Sequence, residues 1–245
     1  MVFLRSCLFF LWFAFVSVVI AVGGVWVLVL PRRMTEILSK TWSRAVLFGL
    51  KWIAGLEYEV RGTNPKGGVL IASKHMSMWD TVMLYLLLDD ACAVVKRSLL
   101  NVPFYGWYLW KAGVIAIDRE GKASALKQMV AEAKTVIAGQ RPIFIFPEGH
   151  RMQPYAPPDY KPGVAALYTQ LGVACVPVAL NSGLFWTGPA GFLKKPGKVV
   201  LEFLPPIPSG LKRATFMETL QNRIETATAK LLAEGKQDLA AKGIS

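Results

Sequence analysis

Histidine is almost absent from this chain: His75 and His150 are the only two among 245 residues. A metal centre built from several imidazoles has little to draw on, and each histidine must be judged by its surroundings. Cysteine is equally scarce. Cys7, Cys92 and Cys175 fall in separate apolar runs without metal-binding or redox spacing, so they read as small buried hydrophobes and exclude a disulfide framework. Acidic residues are also few, 16 against 28 lysines and arginines, which leaves a net charge of +12. That balance suits work at an anionic membrane surface or on phosphorylated substrates. Nucleic acid is not expected as a partner, because the basic residues are dispersed and no recognised nucleic-acid motif accompanies them. No internal repeat is present.

Charge itself is missing from Ser6 to Pro31. As a helix, Leu8 to Leu30 would span roughly 34 Å, enough for a hydrocarbon core of about 30 Å, so this stretch reads as a membrane segment. A cleaved signal peptide is the alternative, but its apolar region runs about 7 to 15 residues and ends at small residues, whereas this one runs on to Pro31-Arg32-Arg33. One arginine precedes the span, and Arg32, Arg33, Lys40 and Arg44 follow it. The positive-inside rule then places the bulk of the chain on the cytoplasmic side, with a re-entrant hairpin as the alternative. Met34 to Leu56 sets Ile37, Leu38, Trp42, Ala45, Val46, Leu50 and Ile53 at helical spacing, consistent with an interfacial or a core-facing helix.

Beyond Tyr58 strand-like and helix-like segments alternate. The expectation is an α/β fold, a central mostly parallel sheet flanked by helices, preceded by an N-terminal membrane-associated helical segment. Residues 1–56 form that segment, 57–235 the α/β domain and 236–245 a polar, frayed tail. Expected strands are Gly68–Ser73, Ala91–Val95, Val114–Ile117, Ile143–Phe146, Ala174–Leu180 and Val199–Phe203, with Pro177 at a bulge or edge. Lys122 to Ala138 is the clearest helix, with Gly139 as its C-terminal cap, and Thr215-Phe216-Met217-Glu218 reads as a capping box opening the last helix. Trp186, Pro189, Phe192 and Pro196 mark an aromatic loop from Gly183 to Lys198, which either lines a lipid access path or packs on the core.

The segment Ser73-Lys74-His75-Met76-Ser77-Met78-Trp79-Asp80-Thr81 holds a neutral-pH base and a carboxylate able to orient it. It links an apolar strand to a helix whose N-cap is expected at Asp80. Residues five apart lie about 140° round a helix axis, so the two side chains meet only if His75 occupies the turn before the helix. The alternative is a partly buried histidine satisfied by a local carboxylate. Two further strand ends carry polar residues, Ile117-Asp118-Arg119 and Phe146-Pro147-Glu148-Gly149-His150-Arg151, and a parallel sheet would gather them beside His75.

Together, and in this order, these blocks resemble the glycerolipid acyltransferase family from about Val69 to Pro208, and Lys96 to Trp107 looks like the family's segment between the first and second blocks. The chain departs from the family pattern at His150, where threonine is usual, at Ser98, often glutamate, and at Ala116, commonly phenylalanine. The resemblance implies direct acyl transfer from acyl-CoA or acyl carrier protein to the hydroxyl of lysophosphatidic acid, giving phosphatidic acid, with no metal or prosthetic group. His75 would act as base and Asp80 would fix its tautomer, while backbone N–H groups hold the oxyanion. Arg119 and Arg151, assisted by Lys96 and Lys161, would bind the acceptor phosphate. Glu148 would shape the acceptor site, through a glycerol hydroxyl or an arginine, and Gly149 would permit close backbone approach. Expected partners are therefore a lysophospholipid acceptor, an acyl thioester donor and membrane lipids. The rivals are another acceptor (a lyso-ornithine lipid, another lysophospholipid or glycerol 3-phosphate) and a catalytically silent lipid-binding scaffold.

Overall fold

The computed structural model describes residues 1–118, 122–187 and 191–244. Arg119 and Pro189 lie outside the described residues. The apolar N-terminus forms α1 (Val2–Gly23), the one described helix long and apolar enough to cross a membrane. It stops seven residues short of Leu30. Val25–Val29 wind into a 3-10 turn, and α2 (Arg32–Gly49) folds back along α1 as a hairpin. Gly24 permits the reversal, because a Cβ there would sit 2.6 Å from both the Ile20 carbonyl oxygen and a Leu38 methyl. The hairpin is tied by the Trp12 indole donating to the Ala45 carbonyl at 2.9 Å and the Trp42 indole donating to Ser17 Oγ at 3.1 Å.

Of the two readings for the segment after the span, α2 takes the core-facing one. Val46, Leu47 and Leu50 are buried with Phe9 and Trp79. Two of its cations form ion pairs, Arg32 with Asp90 at 2.7 Å and Lys40 with Asp89 at 2.5 Å.

Seven strands follow: β1 (Leu56–Arg61), β2 (Leu70–Ser73), β3 (Cys92–Lys96), β4 (Ile115–Ile117), β5 (Ile143–Ile145), β6 (Cys175–Leu180) and β7 (Gly197–Phe203). They form one sheet in the order β1-β7-β6-β2-β5-β3-β4, parallel except where β7 meets β6. The expected mostly parallel α/β architecture is thus present. Sequence periodicity missed β1, whose Leu56-Glu57-Tyr58-Glu59-Val60-Arg61 has one buried residue because it is an edge strand. Pro177 sits in an interior strand, not at an edge. It is accommodated at a bulge, where β6 pairing to the following chain slips one residue between Val178↔Phe203 and Cys175↔Ile207.

Helices α3 (Met78–Leu87), α4 (Tyr105–Ala112), α5 (Lys122–Ala138), α6 (Gly163–Leu171) and α7 (Arg213–Ala241) complete the chain. In β2 the alternation of side chains decides the layers. Ile71 joins the core with α1, α2 and α3, while Leu70 and Ala72 join the core with α5, α6 and α7.

Four helix ends differ from expectation. The cap of α3 is Ser77, not Asp80, since Asp80 occupies the third helical position and completes a reciprocal capping box. The left-handed residue ending α5 is Gln140 (φ 56°), one place beyond Gly139, with Gln140 N–H on the Ile137 carbonyl and Arg141 N–H on that of Val136. Helix α7 starts at Arg213, before the Thr215 box, and runs past Lys236 to Ala241 because Leu239 is buried under it. The described part of the Gly183–Lys198 loop takes its packing reading: Trp186 and Phe9 rings meet edge to face at 5.6 Å, and Lys194 Nζ lies 4.5 Å from the Trp186 ring. Cys92 and Cys175 are buried and Cys7 is half-buried, all as free thiols.

Candidate active site

Five of the strands end toward one place. His75 follows β2, Lys96 closes β3, Asp118 follows β4, Phe146 to Arg151 follow β5, and Ser182 follows β6. Crevices beyond the carboxyl ends of parallel strands are where α/β sheets assemble sites.

His75 occupies the turn before α3, so the i, i+5 pair closes: Nδ1 lies 3.0 Å from Asp80 Oδ2. The same oxygen accepts the Met76 and Ser77 backbone N–H groups at 2.7 and 2.9 Å. Oδ1 accepts the Ser182 hydroxyl at 2.5 Å. The Ser77 hydroxyl lies 2.9 Å from Ser182 Oγ and 3.3 Å from Oδ1, and with one proton to give it donates to Ser182. Asp80 is completely buried, and a carboxylate only accepts, so in the neutral imidazole the proton sits on Nδ1 and Nε2 carries the lone pair. The imidazole stacks on Phe146, ring centroids 3.8 Å apart at 13°. Its tautomer and its plane are both fixed, which the sequence spacing alone could only allow.

Glu148 is also completely buried. Its Oε2 accepts the His75 backbone N–H at 3.0 Å, and its Oε1 lies 2.6 Å from the Lys74 ammonium. Burial pushes this carboxyl up to about 7, against the pull of Lys74 and of the His75 N–H. Both oxygens thus face the loop that carries His75, while Glu148 also lines the cavity of the site. Gly149 has φ 73°, the left-handed turn that glycine takes without strain, and the chain leaves it toward exposed His150 and Arg151.

A cavity of about 1380 Å³ is lined by His75, Lys96, Glu148, Gly149, His150, Arg151 and Lys161 at one part of its wall. Elsewhere the lining is largely apolar, from Phe13, Ile20 and Val22 of α1 through Leu38 of α2 to Leu109 of α4 and Leu126 of α5. Six of the eight residues singled out in the sequence thus share one cavity; Asp80 stands behind His75, and Arg119 lies outside the described residues. Lys161 meets Asp159 at 2.5 Å, so its charge is partly answered on the protein. Sequence reading missed Ser182, Phe146, Lys74 and Glu225. Lys74 and Ser77 flank His75 in the motif, but nothing local marks Ser182 or Glu225.

A buried carboxylate, an oriented imidazole with a free lone pair, a cationic rim and a long apolar space suit proton abstraction from a hydroxyl on an amphiphile bearing an anionic head.

Comparison with known proteins agrees. The chain is 32% identical over 209 residues to the 1-acyl-sn-glycerol-3-phosphate acyltransferase of Pseudomonas aeruginosa, covering 84% of this chain and 81% of that protein. It is 30% identical over 169 residues to the 1-acyl-sn-glycerol-3-phosphate acyltransferase alpha of Mus musculus, covering 67% and 59% respectively. The fold is that of the crystal structure of the 1-acyl-sn-glycerophosphate (LPA) acyltransferase PlsC from Thermotoga maritima, with a TM-score of 0.77 at 17% identity over 94% of this chain and 99% of that one. Because residues 56–181 match the profile of the Acyltransferase family and hold the His75–Asp80 pair within them, the chain belongs to that family of acyltransferases.

Proposed function

We propose that this enzyme transfers a fatty acyl group from acyl-CoA or acyl carrier protein to the sn-2 hydroxyl of 1-acyl-glycerol 3-phosphate, giving phosphatidic acid at a membrane. The observation that carries the reading is the fixed His75–Asp80 pair at the junction of a cationic rim and a long apolar cavity. His75 Nε2 takes the hydroxyl proton as the oxygen attacks the thioester carbonyl. The tetrahedral intermediate collapses with loss of the thiolate, which receives that proton from the imidazolium. Asp80 stabilises the imidazolium while it exists. Backbone N–H groups near the loop hold the oxyanion, and the thioester is a co-substrate, so the scheme calls on no metal or prosthetic group.

The acceptor phosphate lies against Arg151, Arg119 and Lys96, with Lys161 drawn from Asp159, and the acyl chains occupy the apolar cavity. Exposed Phe3, Phe10, Phe15 and Val19 of α1 and Trp107 and Trp110 of α4 face lipid, with the catalytic domain on the cytoplasmic side.

Purified wild type and His75→Ala, offered lysophosphatidic acid and lyso-ornithine lipid with each donor, test the reading. Phosphatidic acid from wild type and a loss of about a hundredfold or more in His75→Ala support it. Acylation of lyso-ornithine lipid alone would overturn the acceptor, and it is the relevant alternative because His150 stands on the cavity wall beside Arg151. A folded, fully active His75→Ala enzyme would overturn the mechanism.

A further inference from the structure

Lys74 adjoins the proposed base and is buried as deeply as the core, with 2% of its side chain exposed. A buried ammonium persists when carboxylates surround it, and two do. Its Nζ lies 2.6 Å from Glu148 Oε1 and 2.7 Å from Glu225 Oε1, and the Tyr160 hydroxyl donates to that same Glu225 oxygen at 2.9 Å. Glu225 comes from α7, beyond the 56–181 segment that matches the family, and 27% of its side chain is exposed. The cluster thus runs from the half-open face of α7, through Lys74, to the carboxylate that accepts the His75 backbone N–H.

We infer that Lys74 and Glu225 are positioning residues for His75: the Lys74 ammonium favours the ionised form of Glu148, whose carboxylate fixes the His75 backbone, and Glu225 tempers that hold by sharing the ammonium. The inference rests on His75 being the base. The groups facing Glu148 are Lys74 and the His75 N–H from the loop before α3, Glu225 from α7, and Tyr160 from the segment before α6. Their signs make opposite demands. Lys74 favours the ionised carboxyl, and Glu225 and burial oppose it. Removing the lysine therefore raises the pH at which Glu148 ionises, whereas neutralising Glu225 lowers it. A cluster that merely held α7 in place would loosen in either variant without moving a titration in opposite directions.

The scarcity of histidine provides the reporter. Full-length protein labelled with 15N-histidine in detergent micelles gives two histidine backbone amides, separated by the variant His150→Gln, and its ring nitrogens report the imidazole titration independently. The His75 amide, bonded to Glu148, reports that carboxyl. Relative to wild type, its midpoint is expected to rise by about one pH unit or more in Lys74→Met and to fall in Glu225→Gln. The acid limb of kcat/KM is expected to follow, giving about a tenfold loss for Lys74→Met at pH values on that limb while KM for the acceptor changes little.

Midpoints that stay together, or that move while kcat/KM does not, would overturn the inference. If Lys74→Met fails to fold, the downward shift in Glu225→Gln decides alone. Opposite amide shifts in an enzyme inactive on lysophosphatidic acid would sink the acceptor assignment and leave the positioning cluster standing.

Discussion

Ser182 lies on no motif, and the geometry makes a sharp demand of it. Its hydroxyl donates to Asp80 Oδ1 at 2.5 Å inside a completely buried site, and the nearest substitute, Ser77 Oγ, is at 3.3 Å and already directed at Ser182. In Ser182→Ala that carboxylate oxygen keeps only the long Ser77 contact. A hydrogen bond to a charged group contributes about 1.5–3 kcal/mol. At about 2–4 °C per kcal/mol for a chain of this size, the midpoint of thermal unfolding should fall by roughly 3–12 °C. Part of the loss also reaches the reaction, because Asp80 must stabilise an imidazolium in the transition state. Fully expressed there, it would lower kcat by about tenfold to about a hundredfold. Ser182 does not line the cavity, so KM for either substrate should hold. Steady-state acyl transfer and calorimetry of the same preparation provide the test. If unfolding moves by less than about 1 °C and kcat by less than about twofold, the serine relay is not what holds Asp80.

Tyr85 makes the opposite case: its hydroxyl is buried on the cavity wall without a hydrogen-bond partner, and burial drives the phenol well above its ordinary range. Tyr85→Phe should therefore leave stability unchanged or raise it by about 1 kcal/mol, and a loss beyond that in denaturant titration would reveal a partner for the hydroxyl. Glu148 predicts the acid side of the stability curve. With its folded carboxyl at about 7 against an ordinary 4.5, it holds a proton between those two pH values that the unfolded chain has released, and is ionised above them. The contribution is full below about pH 4.5 and lost as pH rises through about 7, on the order of 3 kcal/mol in all, and Glu148→Gln should flatten that slope in unfolding measured from pH 4 to 8. Trp110 is 74% exposed on α4, so Trp110→Glu should weaken flotation with anionic vesicles severalfold and spare transfer to short-chain lysophosphatidic acid in solution; unchanged flotation would take α4 off the membrane.

How far the chain could be read in advance follows the range of each interaction. The His75–Asp80 pair was legible because one turn and one capping box span it, so its geometry is a property of nine consecutive residues. The interior strands were legible because they are buried on both faces and read as unbroken apolar runs. Strand β1 was not, since its partner β7 lies at the far end of the chain and its edge position leaves Glu57 and Tyr58 exposed. Pro177 misled for a related reason, as the bulge that tolerates it is made by Leu204 to Pro206 on another segment. The acceptor role given to Glu148 came from the resemblance, and its pairing with Lys74 was not legible, because the two residues are 74 positions apart in the chain. Ser182 and Glu225 act wholly through space. The hairpin, finally, turns on Gly24 inside a run without charge, and the sequence could offer it only as the alternative to a span.

The β1–β7 edge has a further implication for synthesis. Leu56 pairs with Gly197, and Ser6 in α1 accepts the backbone N–H of Lys194, 188 residues later. Segments made early are thus completed by segments made much later. During translation α1 must wait without the loop that covers Phe9, and β1 without the strand that closes the sheet. Contacts of such sequence separation form slowly. A lipid surface that receives α1 early would shelter it through that interval, so a nascent chain halted before Gly197 should sediment with membranes while its α/β portion remains open to protease.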